Sequence, residues 1–252
     1  MLKVGVRTIG RGFASFAHNG RVLSSTTGTS EPQTSGKRLQ GVQELRRIVN
    51  SEPNAGVAWD QVWKQKVTPW VQATSAPALL ELIEQNQLPG GRALVPGCGH
   101  GNDVFALAEP GKRTVIGLDI SPTVIAQCEK TREERNIPKE SAQFLSADFF
   151  TYAPAKSFNV IYDYTFLGAL PANLHSAWAS QMHKLLDDSG ELVTVIFPVD
   201  GHEGGPPYAM SPEQTINLLT PLGFRCIHLR PVTKAHKGRE NIEWLGRWKK
   251  SQ

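Results

Sequence analysis

Residues 91–108 read Gly-Arg-Ala-Leu-Val-Pro-Gly-Cys-Gly-His-Gly-Asn-Asp-Val-Phe-Ala-Leu-Ala. The apolar run Ala93-Leu94-Val95 suits a buried strand. Val104, Phe105, Leu107 and Ala108 recur like the inward side of a helix. Between them Gly97, Gly99 and Gly101 alternate with Cys98 and His100. A glycine turn between a strand and a helix N-terminus lets a ligand come close to the backbone, because no Cβ intervenes. A second apolar run, Thr114–Leu118, stops at Asp119. An acid at that strand tip, about 20 residues past the glycines, can take both hydroxyls of a ribose.

The third glycine of the dinucleotide fingerprint is missing, and the turn reads Gly-x-Gly-x-Gly. A pyrophosphate needs that helix N-terminus, whereas S-adenosylmethionine (SAM) carries no phosphate. The corner therefore predicts a nucleoside cofactor of the SAM kind. An NAD-binding or non-catalytic Rossmann module is the rival reading.

Working outward, strands are expected at 142–146, 158–162, 192–197, 224–229 and 242–248, with helices at 78–84, 121–135, 174–186 and 211–219. Ser121-Pro122 and Ser211-Pro212 each combine a side-chain cap with proline at the first helical position. Asp187-Asp188-Ser189-Gly190 should stop the helix before the fifth strand. The alternation implies an α/β fold with a doubly wound, mostly parallel, seven-stranded sheet. Asp148 and Phe149 follow the third strand, where an acid could meet an adenine amino group and a ring could flank the base. Asp148 alone also fits a plain turn residue. Asp163 and Tyr164 end the fourth strand, on the rim where open α/β sheets place ligands. Residues 198–208 are too rich in glycine and proline for regular structure and suit a lid over that rim.

Ahead of the sheet, Trp59 and Trp63 share a helix face, and Pro69 should end that helix before Trp70. Core packing and a lid pressing indoles on a cationic sulfonium are both open from composition.

The chain of 252 residues, 40% hydrophobic, suits one sizeable domain with an appendage. Its net charge of +4 is misleading as a whole. Residues 1–40 hold Lys3, Arg7, Arg11, Arg21, Lys37 and Arg38 against Glu31, a balance of +5, so the remainder carries −1. These first 40 residues read as a disordered leader or transit peptide, which points to the mitochondrion or otherwise the cytoplasm. The domain is then 41–252. A nucleic-acid-binding surface is not expected, because the domain lacks a basic stripe. No apolar run is long enough to insert in a membrane. Cys98, Cys128 and Cys226 are odd in number and distant in sequence, so neither a disulfide framework nor a CxxC metal site is expected.

The sequence resembles the thiopurine-methyltransferase-like superfamily, and within it the halide, thiocyanate and thiol methyltransferases of plants, algae and fungi. The matching pieces are Trp59-x-x-x-Trp63, Thr68-Pro69-Trp70, Arg92–Gly99, Val115–Ser121, Asp148, Asp163-Tyr164, Gly190-Glu-Leu, Gly204-Gly-Pro-Pro-Tyr208 and Leu245–Lys250. The resemblance implies that Trp59, Trp63 and Trp70 touch SAM, that Gly97 lies against it, and that Asp119 holds its ribose. It implies that Asp148 and Phe149 frame the adenine and that Tyr164 sits near the sulfonium. Tyr208 would border the acceptor pocket and orient the nucleophile. A monomer, a small anionic or thiol acceptor and no metal are implied as well. Val71-Gln72-Ala73 stands where plant members carry Asp-Gln-Gly, and the rim 164–169 also departs, so the preferred acceptor does not carry over. A thiopurine-type enzyme for larger thiols is the alternative. His202 and His236 are either bases or surface-loop histidines.

Overall fold

The computed structural model describes residues 32–108 and 112–251. In chain order the elements are α1 (Pro32–Ser51), α2 (Ala55–Lys64), α3 (Pro77–Glu84), β1 (Gly91–Pro96), α4 (Asn102–Leu107), β2 (Arg113–Asp119), α5 (Pro122–Glu134), β3 (Ala142–Ser146), β4 (Phe158–Tyr164), α6 (Phe166–Ala169), α7 (His175–Leu185), β5 (Leu186–Ile196), α8 (Pro212–Leu219), β6 (Phe224–Pro231) and β7 (Trp244–Lys250). The strands make one sheet in the order β3-β2-β1-β4-β5-β7-β6. β1 to β5 are parallel, and β7 runs antiparallel between β5 and β6. The chain order reverses between β1 and β4, which opens a crevice beyond their carboxyl ends.

Period-two alternation sends neighbouring strand residues to opposite layers. Ala93, Val95, Val115, Val160 and Tyr162 pack with Leu79 and Leu82 of α3, Val104 and Leu107 of α4, and Ile125 and Cys128 of α5. Leu94, Ile116, Leu118 and Ile161 pack with Trp178 and Met182 of α7 and Leu219 of α8. Both faces are covered, which is why the parallel strands read as continuous apolar runs. The two Ser-Pro helix starts form as expected: Ser121 Oγ accepts from Val124 N at 3.4 Å, and Ser211 Oγ accepts from Gln214 N at 2.9 Å. Among the described residues no helix is long and apolar enough to cross a membrane.

Three features depart from the sequence reading. Helix α1 runs over Pro32–Ser51 and so starts inside the stretch expected to be a leader; residues 1–31 lie outside the described part. Helix α2 stops at Lys64, well before Pro69, because Lys66 turns left-handed (φ 56°) and Val67 N bonds back to Val62 O. Residues 187–190 do not separate α7 from β5 but make an irregularity inside β5. Asp187 Oδ1 accepts from Ser189 N and Oγ there, and the pairing with β4 slips across the turn. Cys98 and Cys128, distant in sequence, meet beneath the glycine turn, where Cys128 Sγ bonds Gly99 O at 3.0 Å and both thiols remain free.

On the far side of the sheet a buried carboxylate ties β5 to β7. Arg247 of β7 grips Glu191 of β5 through Nε and through Nη2, the latter at 3.1 Å from Oε2, while Nη2 also reaches Gln87 O. Glu191 is only 2% exposed. Arg247→Met would strand that carboxylate, at a cost of about 3–5 kcal/mol. The urea midpoint should fall accordingly with the denaturant slope unchanged.

Candidate active site

The glycine turn leaves β1 through three left-handed residues, Gly97 (φ 58°), Gly99 (φ 51°) and Gly101 (φ 75°). Packing also excludes side chains here. A Cβ on Gly97 would lie 2.5 Å from the Phe166 ring, and one on Gly101 would lie 2.6 Å from Phe144. The turn is tied to the neighbouring strand by Gly99 N, which donates to Asp119 Oδ2 at 3.1 Å. Ser121 N donates to Asp119 Oδ1 at 3.0 Å. Burial pushes the Asp119 carboxyl up to about 6; the backbone donors oppose this, and the nearby Asp60 adds to it.

A cleft of about 520 Å³ opens over this corner. Asp119, Gly97, Asp148 and Phe149 all line it, as do Trp59, Trp63, Trp70 and Tyr208. Asp148 is a turn residue too, since its Oδ1 accepts from Phe150 N at 2.9 Å. Phe149 is buried, with its ring edge-on to Phe166 at 5.1 Å. Trp70 stands edge-on to both Trp59 and Trp63, each at 5.7 Å, and Trp63 meets His100 at 4.9 Å. The tryptophans therefore serve both as packing and as a wall of the cleft. Helix α2 is clamped to the start of α5 by buried Asp60, whose Oδ1 accepts from Ser121 Oγ at 2.7 Å and Thr123 N at 3.1 Å. Lys64 closes on the other oxygen at 2.7 Å. That clasp sets the position of the indoles against Asp119.

Tyr164 sits apart from the cleft proper. It lines a smaller side chamber of about 80 Å³ that shares Trp63, Trp70, Gly97, Gly99 and Thr165 with the cleft. Its hydroxyl donates to Glu243 Oε1 at 2.6 Å and accepts from Arg239 Nη1. Burial pushes the phenol well above its usual range. Thr165, next along, holds a left-handed φ of 68° and bends the rim between chamber and cleft. A β-branched residue in that region stores strain of order 1–3 kcal/mol.

Asp163 serves the fold: its oxygens accept from Leu167 N at 3.2 Å and Trp178 Nε1 at 2.8 Å. His202 is engaged at both ring nitrogens, with Asp200 Oδ1 at 2.7 Å and Pro207 O at 2.9 Å. His236 is not a surface histidine. It stacks on Tyr164 at 6.5 Å, its Nε2 is buried without a partner among the described residues, and burial lowers its pKa. Neither histidine lines the cleft or the chamber.

Several wall residues escaped the sequence reading. Leu45 and Val49 come from α1, Phe197 from the end of β5, and Arg239 from a Lys-Gly-Arg-Glu loop that looks like a solvated charge run. No local pattern marks any of them. Helix α1 is held over the cleft by Arg46 Nε, which donates to Pro206 O at 3.2 Å, and by Arg38 Nη1, which donates to Gly238 O at 3.3 Å.

A seven-stranded sheet of this order, with a glycine turn and an acid at the second strand tip, is the architecture of SAM-dependent methyltransferases. Among solved structures the chain superposes on magnesium protoporphyrin IX methyltransferase from Synechocystis with bound S-adenosylhomocysteine (SAH), with a TM-score of 0.56, 19% identity and coverage of 87% of this chain and 95% of that one. The chain matches the thiopurine S-methyltransferase family over residues 55–247 and belongs to it; it is a SAM-dependent methyltransferase. Its relatives include probable thiol methyltransferase 2 of Arabidopsis thaliana, 43% identical over 214 residues, covering 84% of this chain and 93% of the relative. Thiocyanate methyltransferase 1 of the same plant is 37% identical over 222 residues, covering 88% and 96%.

Asp119 supplies a test of its expected contact with the donor's ribose. Only the carboxylate accepts from both sugar hydroxyls, so ligand binding favours the ionised form. Affinity for SAH should be full above about pH 7 and weaken, by up to about tenfold per unit, as the pH falls through about 6. Calorimetric titration across that range checks it. Asp119→Asn should weaken binding about tenfold at the high end and flatten the profile.

Proposed function

We propose that the chain transfers the SAM methyl group to a small soft nucleophile: a halide, thiocyanate, bisulfide or thiol. The products would be a methyl halide, methyl thiocyanate or methyl thiol, together with SAH. The observation that carries this reading is the chemistry of the cleft wall around Tyr208. Phe197, Pro206, Pro207, Leu170 and Leu174 line it, and Tyr208 brings a hydroxyl with no protein partner among the described residues. Among the described residues no Lys, Arg or His lines the cleft. Glu52 accepts from Asn54 N at 2.9 Å, and the remaining acids are assigned to the nucleoside end. Such a pocket has no positioned base, so it suits acceptors that arrive already ionised or ionise in solution. The names of the two Arabidopsis relatives support the same acceptor class.

The residues of the donor site fit a sulfonium nucleoside. Glycines 97 and 99 line the cleft with bare backbone, Asp119 offers a carboxylate, and three indoles offer faces and edges to a cation. When bound, SAM supplies a methyl group on a positively charged sulfur. Trp59, Trp63 and Trp70 would stabilise that charge by about 1–2 kcal/mol for each well-placed ring. Tyr208 would donate a hydrogen bond to the incoming anion and hold it in line with the methyl group. The apolar wall would strip water from the anion, which favours a reaction in which opposite charges disappear. Helix α1 would keep bulk water out.

The full chain supplied with SAM and a panel of halides, thiocyanate, bisulfide and organic thiols should release methylated volatiles detectable by headspace chromatography. Rates that rise with pH as the acceptor ionises would mark a thiol substrate, and pH-independent rates a halide. Tyr208→Phe should raise the acceptor KM about tenfold while leaving SAH affinity unchanged. A matching loss of SAH affinity would place Tyr208 at the donor and overturn its assignment.

A further inference from the structure

Tyr208 is set in place by the four residues before it. A Cβ on Gly205 would lie 2.4 Å from the Tyr208 ring, so the phenol rests directly on that backbone. Tyr208 N donates to Gly168 O at 2.6 Å. Pro206 and Pro207 have no N–H, so their carbonyls are the only backbone hydrogen-bonding groups by which the pair can be held. Each carbonyl is met by a side chain. Arg46 Nε of α1 donates to Pro206 O at 3.2 Å, and His202 Nε2 meets Pro207 O at 2.9 Å. The other ring nitrogen of His202, Nδ1, meets Asp200 Oδ1 at 2.7 Å.

A carbonyl and a carboxylate both accept. A neutral imidazole has one N–H and one lone pair, so it serves one of these partners and turns its lone pair on the other. The imidazolium donates to both. We propose that His202 in its protonated form latches the loop 200–207 and so positions Tyr208 for the acceptor, and that losing the proton weakens acceptor binding. The inference rests on Tyr208 as the group that orients the acceptor and deepens that reading. His202 lines neither the cleft nor the chamber, so it is a positioning residue that acts through Pro207 and Tyr208.

His202 is half-buried, which shields its bond to Pro207 O from competing water. No second donor reaches that carbonyl among the described residues. The charged groups around the ring come from three places. Asp200 and Glu203 belong to the loop itself, and Arg46 enters from α1. On the segment that accepts Val199 N at Ile242 O, Arg239 and Glu243 pair with each other at 3.8 Å. Helix α6, which receives Tyr208 N, carries no titratable side chain. Histidine changes charge between about pH 5 and 8. As the pH rises the proton passes to solvent, the remaining N–H stays with one partner, and the grip across the loop opens beside Tyr208.

Iodide and thiocyanate stay anionic at every pH used, so their own ionisation cannot move the profile. With the full chain and saturating SAM, the acceptor KM should rise about three- to tenfold between about pH 6.5 and 8.5 while kcat stays flat. His202→Gln is neutral throughout, so its acceptor KM should be high already at the low end and independent of pH, with SAH affinity unchanged. A flat wild-type KM, or a slope that survives in His202→Gln, overturns the proposal. A loss of SAH affinity alongside the raised KM would make His202 merely structural and overturn it too. Adding His202→Gln to Tyr208→Phe should leave KM where Tyr208→Phe alone puts it, and additive increments would show that His202 acts elsewhere. If His202→Gln does not fold, the wild-type profile alone decides. An acceptor KM unmoved by Tyr208→Phe would instead sink the acceptor reading on which this one stands.

Discussion

The hydrogen bond from Gly99 N to Asp119 Oδ2 joins the exit of β1 to the tip of β2, and the rest of the site is arranged about it. It forms only because the backbone on either side passes where L side chains do not fit, against Phe166 at Gly97 and against Phe144 at Gly101. The constraint is steric before it is chemical. A side chain at either position would push the turn away from the rings and move the carboxylate that the turn helps to orient. Two layers of core meet here, since Phe144 packs with α4 and α5 on one face and Phe166 with Phe149 on the other.

A second tier of contacts holds the N-terminal helices against this corner. Asp60 fastens α2 to the start of α5, two residues beyond Asp119, so the indoles and the acid share one anchor. Arg239 fastens the segment after α2 to the rim of β4 through Trp70 O and Tyr164. Both ties are buried and charged, and both trade desolvation for geometry. The burial that raises Asp119 belongs to the same arrangement, since the glycine turn and the start of α5 close on its two oxygens from opposite sides.

What could be read from the chain alone was what local chemistry decides. The apolar runs, the Ser-Pro starts at 121 and 211 and the glycine turn all appear where their own residues require them. Asp119, Asp148 and Phe149 also reach the cleft from strand ends that lie on one rim, whereas Tyr208 and the three tryptophans were expected there only through the family resemblance. What was hidden depends on partners far away in sequence. Arg239 looks solvated until Trp70, 169 residues earlier, is laid against it. Cys98 and Cys128 become neighbours only when α5 packs under the turn. Helix α1 carries a weak pattern of its own and is defined by what it covers. The irregularity at 187–190 looked like a boundary because Asp, Ser and Gly favour turns, and the strand simply absorbs the turn.

Helix α1 carries one last implication. The thiopurine S-methyltransferase match begins at residue 55, but the alignment with thiocyanate methyltransferase 1 of Arabidopsis thaliana takes in 88% of this chain and so reaches into α1. Leu45, Val49 and Asn50 of that region border the cleft, and Arg46 braces the Pro206 carbonyl from the other side. One wall of the cleft can therefore be altered from α1 without a change in the glycine turn or in the sheet that carries it.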